Sequence, residues 1–182
     1  IGGAHLKVVG LNNNNEVIYV KYSSCKIWEN IENLNKEFEL INQIAGRSAQ
    51  CAITMTAELC DNFTSRLKGV EKLIKKCELL KIDKYFYINS SKIFSKNPKL
   101  SELISMNWHS VGRYLEKKIK SCIAIDFGST TTDFLCIKNH KLLNKFFDDY
   151  SRLNNHELIY TGLTRTPLFG VSNSIKIKIK IL

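Results

Sequence analysis

The chain has 182 residues, of which 44% are hydrophobic and 24% are charged, as in a globular protein with one large domain or parts of two. No apolar run approaches the roughly 18 residues of a membrane helix, and the start does not resemble a signal peptide, so we expect a cytoplasmic protein without a membrane partner. The formal net charge is +10, but scattered lysines argue against a nucleic-acid partner. The six cysteines contain no CxxC pair and are predicted to be reduced and mostly buried.

The first part of the chain predicts a glycine turn, a β-hairpin and a helix. Gly2 and Gly3 precede an apolar strand from His5 to Leu11. Four asparagines then lead to a second strand, Val17 to Tyr22. A helix capped by Ser24 is predicted next, because apolar residues recur at steps of three and four on one face. Those residues are Ile27, Ile31, Leu34, Phe38 and Ile41.

The middle of the chain predicts three more strands and two more helices. The first strand ends near Glu58 and Asp61, at the carboxyl end where α/β sheets usually bind ligands. Asn97 as a cap and Pro98 in the first turn predict the start of the later helix. The predicted segments are a strand at Cys51 to Thr56, a helix at Arg66 to Leu80, a strand at Tyr85 to Ile88 and a hairpin partner at Lys92 to Phe94.

The segment from Ile123 to Ile137 predicts a second hairpin with a turn that could hold an anion. Asp126 ends the first strand, and Gly128 allows the backbone to approach an anion closely. An ordinary polar turn and an anion site are about equally favoured by this segment alone. The similar layout of glycine turn and apolar strand at the start of the chain favours the anion site. Three consecutive hydroxyl groups could also donate to an anion, those of Ser129, Thr130 and Thr131.

The remaining sequence is turn-rich after a short apolar run at Leu142 and Leu143. A strand is predicted from Glu157 to Gly162. Arg165 could hold two phosphate oxygens through its guanidinium group, and an exposed arginine before a proline turn is an equal alternative. The last eight residues alternate isoleucine and lysine, which fits a half-exposed strand and equally a chain cut short.

Five motifs in order resemble one family, the hydantoinase/oxoprolinase-related proteins of the tetrahydromethanopterin-linked one-carbon transfer pathway. These proteins are similar to the archaeal methanofuran-biosynthesis synthases. The resemblance covers the chain from its start to about Gly170. Its motifs are Ile1 to Lys7, Thr54 to Leu59 with Asp61, Asn107-Trp108, Asp126 to Asp133, and Tyr160 to Gly162 with Arg165-Thr166-Pro167.

The resemblance implies an α/β fold of the actin, Hsp70 and sugar-kinase type, built from ribonuclease-H-like domains. Residues 1–120 would form domain I with the first phosphate loop. Residues 121–182 would form the N-terminal part of domain II with the second loop. The family pattern has an aspartate directly before the position of Ile1 and continues past residue 182, so the resemblance implies a truncated member with an incomplete second domain.

The resemblance also implies a transferase that condenses an aminomethylfuran diphosphate with γ-glutamyltyramine and releases diphosphate. Glu58 would act as general base, and Asp126 would hold Mg²⁺ through water. Asp133 would either orient the hydroxyl row or bind the water and ligands around the metal. An ATP-dependent hydrolase or kinase is an alternative, which leaves an ATP requirement open, and an inactive fragment that only binds phosphate is another. The phosphate-binding residues would be Gly2, Gly3, Lys7, Gly128, Ser129, Thr130, Thr131 and Arg165.

Overall fold

Mixed α/β structure is present in the computed structural model, which describes residues 1–46, 48–88, 93–167 and 171. This confirms the α/β part of the predicted fold class. Two compact units are present, Ile1–Asn107 and Trp108–Leu182. Most of the third helix therefore lies in the second unit, whereas the sequence assigned it to the first domain. The predicted isoleucine and lysine strand, residues 175–182, lies outside the described residues.

The first unit begins with the predicted hairpin. Strand β1 (His5–Leu11) pairs antiparallel with β2 (Val17–Ser24), and Val9 lies opposite Val20. Leu6 points into the core and is 3% exposed, whereas Val9 and Val20 on the other face are exposed. The hairpin thus buries one of its two faces.

Helix α1 (Leu34–Ile44) begins later than predicted, because Ser24 lies in β2 and does not cap it. A 3₁₀ turn precedes α1 and is capped by Asn30, whose side chain accepts from the amide of Glu32. The chain before this turn is bound elsewhere, since the amide of Ile27 donates to the carbonyl of Gly3 at 2.8 Å. Ile27 lies outside the helix but is fully buried, so the prediction that it faces the core is correct.

The second sheet of this unit contains the strand predicted before Glu58, which lies at one edge of the described sheet and not inside it. Strand β3 (Gln50–Ile53) pairs in parallel with β4 (Asp83–Tyr87), which pairs antiparallel with β5 (Phe94–Ser95). Helix α2 (Arg66–Cys77) connects the parallel strands and begins at Ser65, whose hydroxyl accepts from the amide of Lys68. The sheets and helices of this unit share one apolar core, which includes Leu6, Phe38, Leu73 and Phe86.

Helix α3 (Asn107–Lys118) also begins later than predicted. The segment after Asn97 and Pro98 contains only a 3₁₀ turn, Leu100–Glu102. Ser105 then has a φ of +52°, a left-handed conformation that an α-helix cannot contain. The predicted start at Asn97 was therefore wrong, and the helix begins after Ser105.

The second unit contains the predicted second hairpin. Strand β6 (Cys122–Phe127) pairs antiparallel with β7 (Thr132–Ile137), and β7 pairs with the short strand β8 (Leu158–Ile159). Helix α4 (Asp149–Asn154) was missed, because its segment is rich in turn-forming residues. The predicted apolar run at Leu142 forms a single bridge with Ile137. Trp108, Leu135 and Ile137 form the core of the unit.

In the described ranges, no helix has the length and apolar character needed to cross a bilayer. The six cysteines are free thiols, but only Cys25 and Cys77 are buried. The prediction of reduced cysteines agrees with the structure, and their expected burial holds for these two. Burial raises the pKa of the Cys77 thiol to about 12, so this sulfur is a protonated core group.

Candidate functional site

The two glycine turns singled out in the sequence close in the same way. In the first unit the amide of Gly2 donates to the carbonyl of His5 at 3.0 Å. In the second unit the amide of Gly128 donates to the carbonyl of Thr131 at 2.8 Å, again three residues on. Each turn is followed by a strand of an antiparallel hairpin. The likeness proposed from the sequence is therefore present in the backbone, and the two glycine amides themselves are already bound.

In the second turn, the amides after Gly128 are available to a ligand. Those of Ser129, Thr130 and Thr131 make no hydrogen bond to any residue that the structure describes. The three residues are half-buried. Consecutive amides of a turn can together hold an anion when they face the same way. We call residues 128–131 the phosphate loop, and their binding of phosphate stays a prediction.

Arg165 lies beside the phosphate loop although it is far away in the sequence. Its amide donates to the carbonyl of Ser129 at 3.0 Å, and the amide of Leu163 donates to the carbonyl of Gly128 at 3.0 Å. The Arg165 side chain is exposed. The structure therefore brings together the five residues of the second unit that were predicted to bind phosphate.

The first turn has a similar backbone, and the lysine predicted to bind phosphate there lies near an aromatic ring. The carbonyls of Gly3 and Ala4 accept from the amides of Ile27 and Cys25, at 2.8 and 2.9 Å. The Nζ of Lys7 lies 5.8 Å from the centroid of the Tyr22 ring, and both side chains are on the exposed face of the hairpin. The phosphate role of Gly2, Gly3 and Lys7 stays a prediction.

Asp133 is held by a buried arginine that the sequence did not indicate. The Nη1 of Arg152 donates to Asp133 Oδ1 at 2.7 Å, and Arg152 is 1% exposed. Its guanidinium carbon lies 3.8 Å from the centroid of the Trp108 ring. Burial raises the pKa of Asp133, and the positive charge of Arg152 opposes that rise. The ion pair gives Asp133 a structural role next to the phosphate loop, and its predicted catalytic role stays a prediction.

Asp126 lies directly opposite Asp133 in the β6 and β7 register, on the same face of the sheet. No group of three or more histidine, cysteine, aspartate or glutamate side chains among the described residues could hold a metal ion. Asp133 is bound to Arg152, so Asp126 on this face would hold a cation mainly through water, as the hydration of Mg²⁺ allows. Its role as a Mg²⁺ ligand stays a prediction.

Glu58 occupies a second polar position, inside the first unit. It lies in a 3₁₀ turn after β3 and is 1% exposed. Its Oε1 accepts from the amide and the hydroxyl of Ser105 at 2.8 and 3.2 Å, whereas Oε2 has no partner among the described residues. Burial raises the pKa of the carboxyl above its ordinary value of 4.5, because the contacts with Ser105 and the charge of Arg66 offset only part of the lost hydration. A buried carboxyl with a raised pKa and an unpaired oxygen fits a group that exchanges a proton.

A known protein is similar to this chain along its whole length. The alignment has 186 positions and includes all of this chain, and 32% of the residues are identical. The relative is the (4-{4-[2-(gamma-L-glutamylamino)ethyl]phenoxymethyl}furan-2-yl)methanamine synthase of Methanocaldococcus jannaschii. The chain is homologous to this synthase. A synthase of the same name from Methanococcus vannielii is 48% identical over 59 residues, which are 32% of this chain and 26% of that protein.

The chain spans about half the length of the first synthase, 54%, so the match leaves the rest of that protein without a counterpart here. No protein-family model matches the chain. An exopolyphosphatase from Cytophaga hutchinsonii superposes on 84% of this chain and 49% of its own, with 11% identity and a TM-score of 0.42. A score at this level carries no conclusion about the fold.

Proposed function

We propose that this protein takes part in condensing an aminomethylfuran diphosphate with γ-glutamyltyramine, in the biosynthesis of a methanofuran-type cofactor. The observation that carries the proposal is the 32% identity with the M. jannaschii synthase along the entire chain. The name of that synthase describes a phenoxymethylfuran, in which an ether joins a phenol to a furan methylene group. A synthase of this kind forms one carbon–oxygen bond.

The proposed reaction is a displacement at the furan methylene carbon. The phenol gives up its proton, and the phenolic oxygen bonds to the methylene carbon. The carbon–oxygen bond to diphosphate breaks, and diphosphate leaves with the electron pair. Such a reaction needs donors for the negative charge that grows on the diphosphate and an acceptor for the phenolic proton.

The described residues supply groups for both tasks. The free amides and hydroxyl groups of the phosphate loop would bind the diphosphate, and the Arg165 side chain would add a paired donor. Asp126 would hold a hydrated Mg²⁺, whose charge would stabilise the diphosphate. Glu58, with its unpaired Oε2, would take the phenolic proton.

The proposed fold is of the actin and Hsp70 type, with ribonuclease-H-like domains. Its support is the duplicated glycine turn, since Gly2 and Gly128 make the same bond to the carbonyl three residues on. Each turn would be one phosphate-binding segment of that fold.

The proposal is tested by incubating the protein with the furan diphosphate, γ-glutamyltyramine and Mg²⁺, without ATP. We expect a coupled ether product and an equal amount of released diphosphate. Glu58→Gln should abolish turnover and keep diphosphate binding, whereas Glu39→Gln, an exposed change on α1, should keep both. A strict requirement for ATP hydrolysis would instead indicate the hydrolase or kinase. Diphosphate binding without turnover would indicate a chain that only binds phosphate.

A further inference from the structure

The segment Thr161–Arg165, which we call the support segment, contacts the phosphate loop through backbone atoms. The carbonyl of Gly128 accepts from the amide of Leu163 at 3.0 Å. The carbonyl of Ser129 accepts from the amides of Thr164 and Arg165 at 3.2 and 3.0 Å, and from the Thr164 hydroxyl at 3.0 Å. Both carbonyls therefore point toward the support segment.

This orientation determines where the amides of the loop point. In a trans peptide the carbonyl and the following amide point in opposite directions. Because the carbonyls of Gly128 and Ser129 face the support segment, the amides of Ser129 and Thr130 face away from it. The bonds thus turn two adjacent amide donors toward the same side, away from the support segment, as binding of one anion requires.

The contact depends on Gly162, which lies flat against the peptide between Ser129 and Thr130. A Cβ built on Gly162 would lie 2.5 Å from both the carbonyl carbon and the oxygen of Ser129, and close to the amide nitrogen of Thr130. These are backbone atoms, so they cannot rotate away as a side chain could. Only glycine lets the support segment approach this closely.

A second bond ties the support segment to the sheet. The hydroxyl of Thr132, which is 1% exposed on β7, donates to the carbonyl of Thr161 at 2.6 Å. The segment is thereby fixed to the strand that follows the phosphate loop. The support segment is thus held at two points, by the carbonyls of the phosphate loop and by the Thr132 hydroxyl on β7.

We propose that Gly162 and Thr132 are positioning residues, which hold the support segment so that the amides of Ser129 and Thr130 face a diphosphate group. The inference rests on the proposed function, because it assumes that the phosphate loop binds the diphosphate. Neither residue touches the ligand. Their effect is on the direction of the loop amides.

The test measures the dissociation constant of inorganic pyrophosphate by calorimetry, with Mg²⁺ present, beside the thermal unfolding midpoint. Gly162→Ala and Thr132→Val should each weaken binding, the first by tenfold or more, at a temperature where the variant is fully folded. Gly46→Ala is the matched control, because a Cβ there meets no atom within 4 Å, and its binding should equal that of the unchanged protein.

The outcomes separate this inference from the proposed function. Binding by both variants within twofold of the unchanged protein, with only the unfolding midpoint lowered, would overturn the positioning role and leave the phosphate loop as the binding site. An unchanged protein that binds no pyrophosphate would overturn both. If Gly162→Ala does not fold, the isosteric Thr132→Val decides, since it removes one hydroxyl and keeps the strand-forming shape.

Discussion

Glu58 is controlled by burial and by one neighbouring residue. Its carboxyl binds Ser105 through two hydrogen bonds, and its second oxygen has no partner among the described residues. Burial favours the protonated carboxyl and raises its pKa, and the hydrogen bonds and the charge of Arg66 offset only part of this effect. The same group therefore supports the structure and carries the features expected of a proton acceptor.

The raised pKa predicts that Glu58 makes stability depend on pH. A carboxyl whose pKa is higher in the folded state stabilises the protein fully below its ordinary value of 4.5, and this stabilisation is lost as pH rises through the folded pKa. Glu58→Gln keeps an oxygen for the Ser105 amide and removes the titration. Relative to the unchanged protein, its free energy of unfolding should therefore rise as pH increases above 4.5, measured by urea unfolding at several pH values.

Two further variants separate the proton from the hydrogen bond. Glu58→Ala also removes the titration but leaves the buried Ser105 amide without its acceptor, so it should be less stable than Glu58→Gln by about 1–3 kcal/mol at every pH. Glu39→Gln, at an exposed position, should give a curve parallel to that of the unchanged protein. A Glu58→Gln curve that is also parallel would show that Glu58 does not titrate in this range.

Helix α2 and the 3₁₀ turn that carries Glu58 pack so closely that a glycine is needed between them. A Cβ on Gly69 would lie 2.8 Å from the Cα and 2.9 Å from the carbonyl oxygen of Glu58. It would also lie 2.9 Å from the Phe63 ring. The position of Glu58 thus depends on a residue in the neighbouring helix.

The two effects of Gly69→Ala oppose each other, and packing should prevail. Alanine is favoured over glycine inside a helix by about 1 kcal/mol. Overpacking a buried contact costs about 1–3 kcal/mol, and the upper part of this range applies because the nearest atoms are backbone. Gly69→Ala should therefore lower the free energy of unfolding by about 1–2 kcal/mol in urea. Gly46→Ala should not lower it, and a stabilised Gly69→Ala would contradict the tight contact.

Across the molecule, large apolar side chains are exposed on sheet faces in both units. In the second unit these include Ile123, Ile125 and Phe127 on β6, which are 73%, 50% and 57% exposed. The opposite face of the same sheet carries Leu135, which is fully buried. Contiguous exposed apolar surface of this kind promotes association.

We expect the exposed apolar face of β6 to cause self-association without contributing to the stability of the fold. The double variant Ile123→Thr and Ile125→Thr should reduce concentration-dependent light scattering and the binding of an apolar dye, because threonine keeps β-propensity and adds a polar group. Its unfolding midpoint should stay near that of the unchanged protein. Leu135→Thr, on the buried face, should instead destabilise by about 2–4 kcal/mol. Unchanged scattering in the double variant would show that this face does not cause association.

Local patterns were sufficient for the two hairpins and the glycine turns between or before their strands, and they predicted the burial of Leu34 and Phe38 on α1. Turn residues and apolar periodicity act between neighbours in the chain, so the sequence contains what is needed to predict them. The glycine turn at residues 128–131 is of this kind, and its binding of phosphate stays a prediction.

Contacts between distant residues required the tertiary structure. Helix α3 begins after Ser105, whose amide donates to Glu58, 47 residues earlier in the chain. Asp133 is paired with Arg152, which the sequence places in a turn-rich segment with no sign of a buried charge. Gly162 and Arg165 also contact the phosphate loop although they lie far from it in the sequence. Burial and long-range hydrogen bonds create these features, and no local pattern in the chain encodes which distant residues will meet.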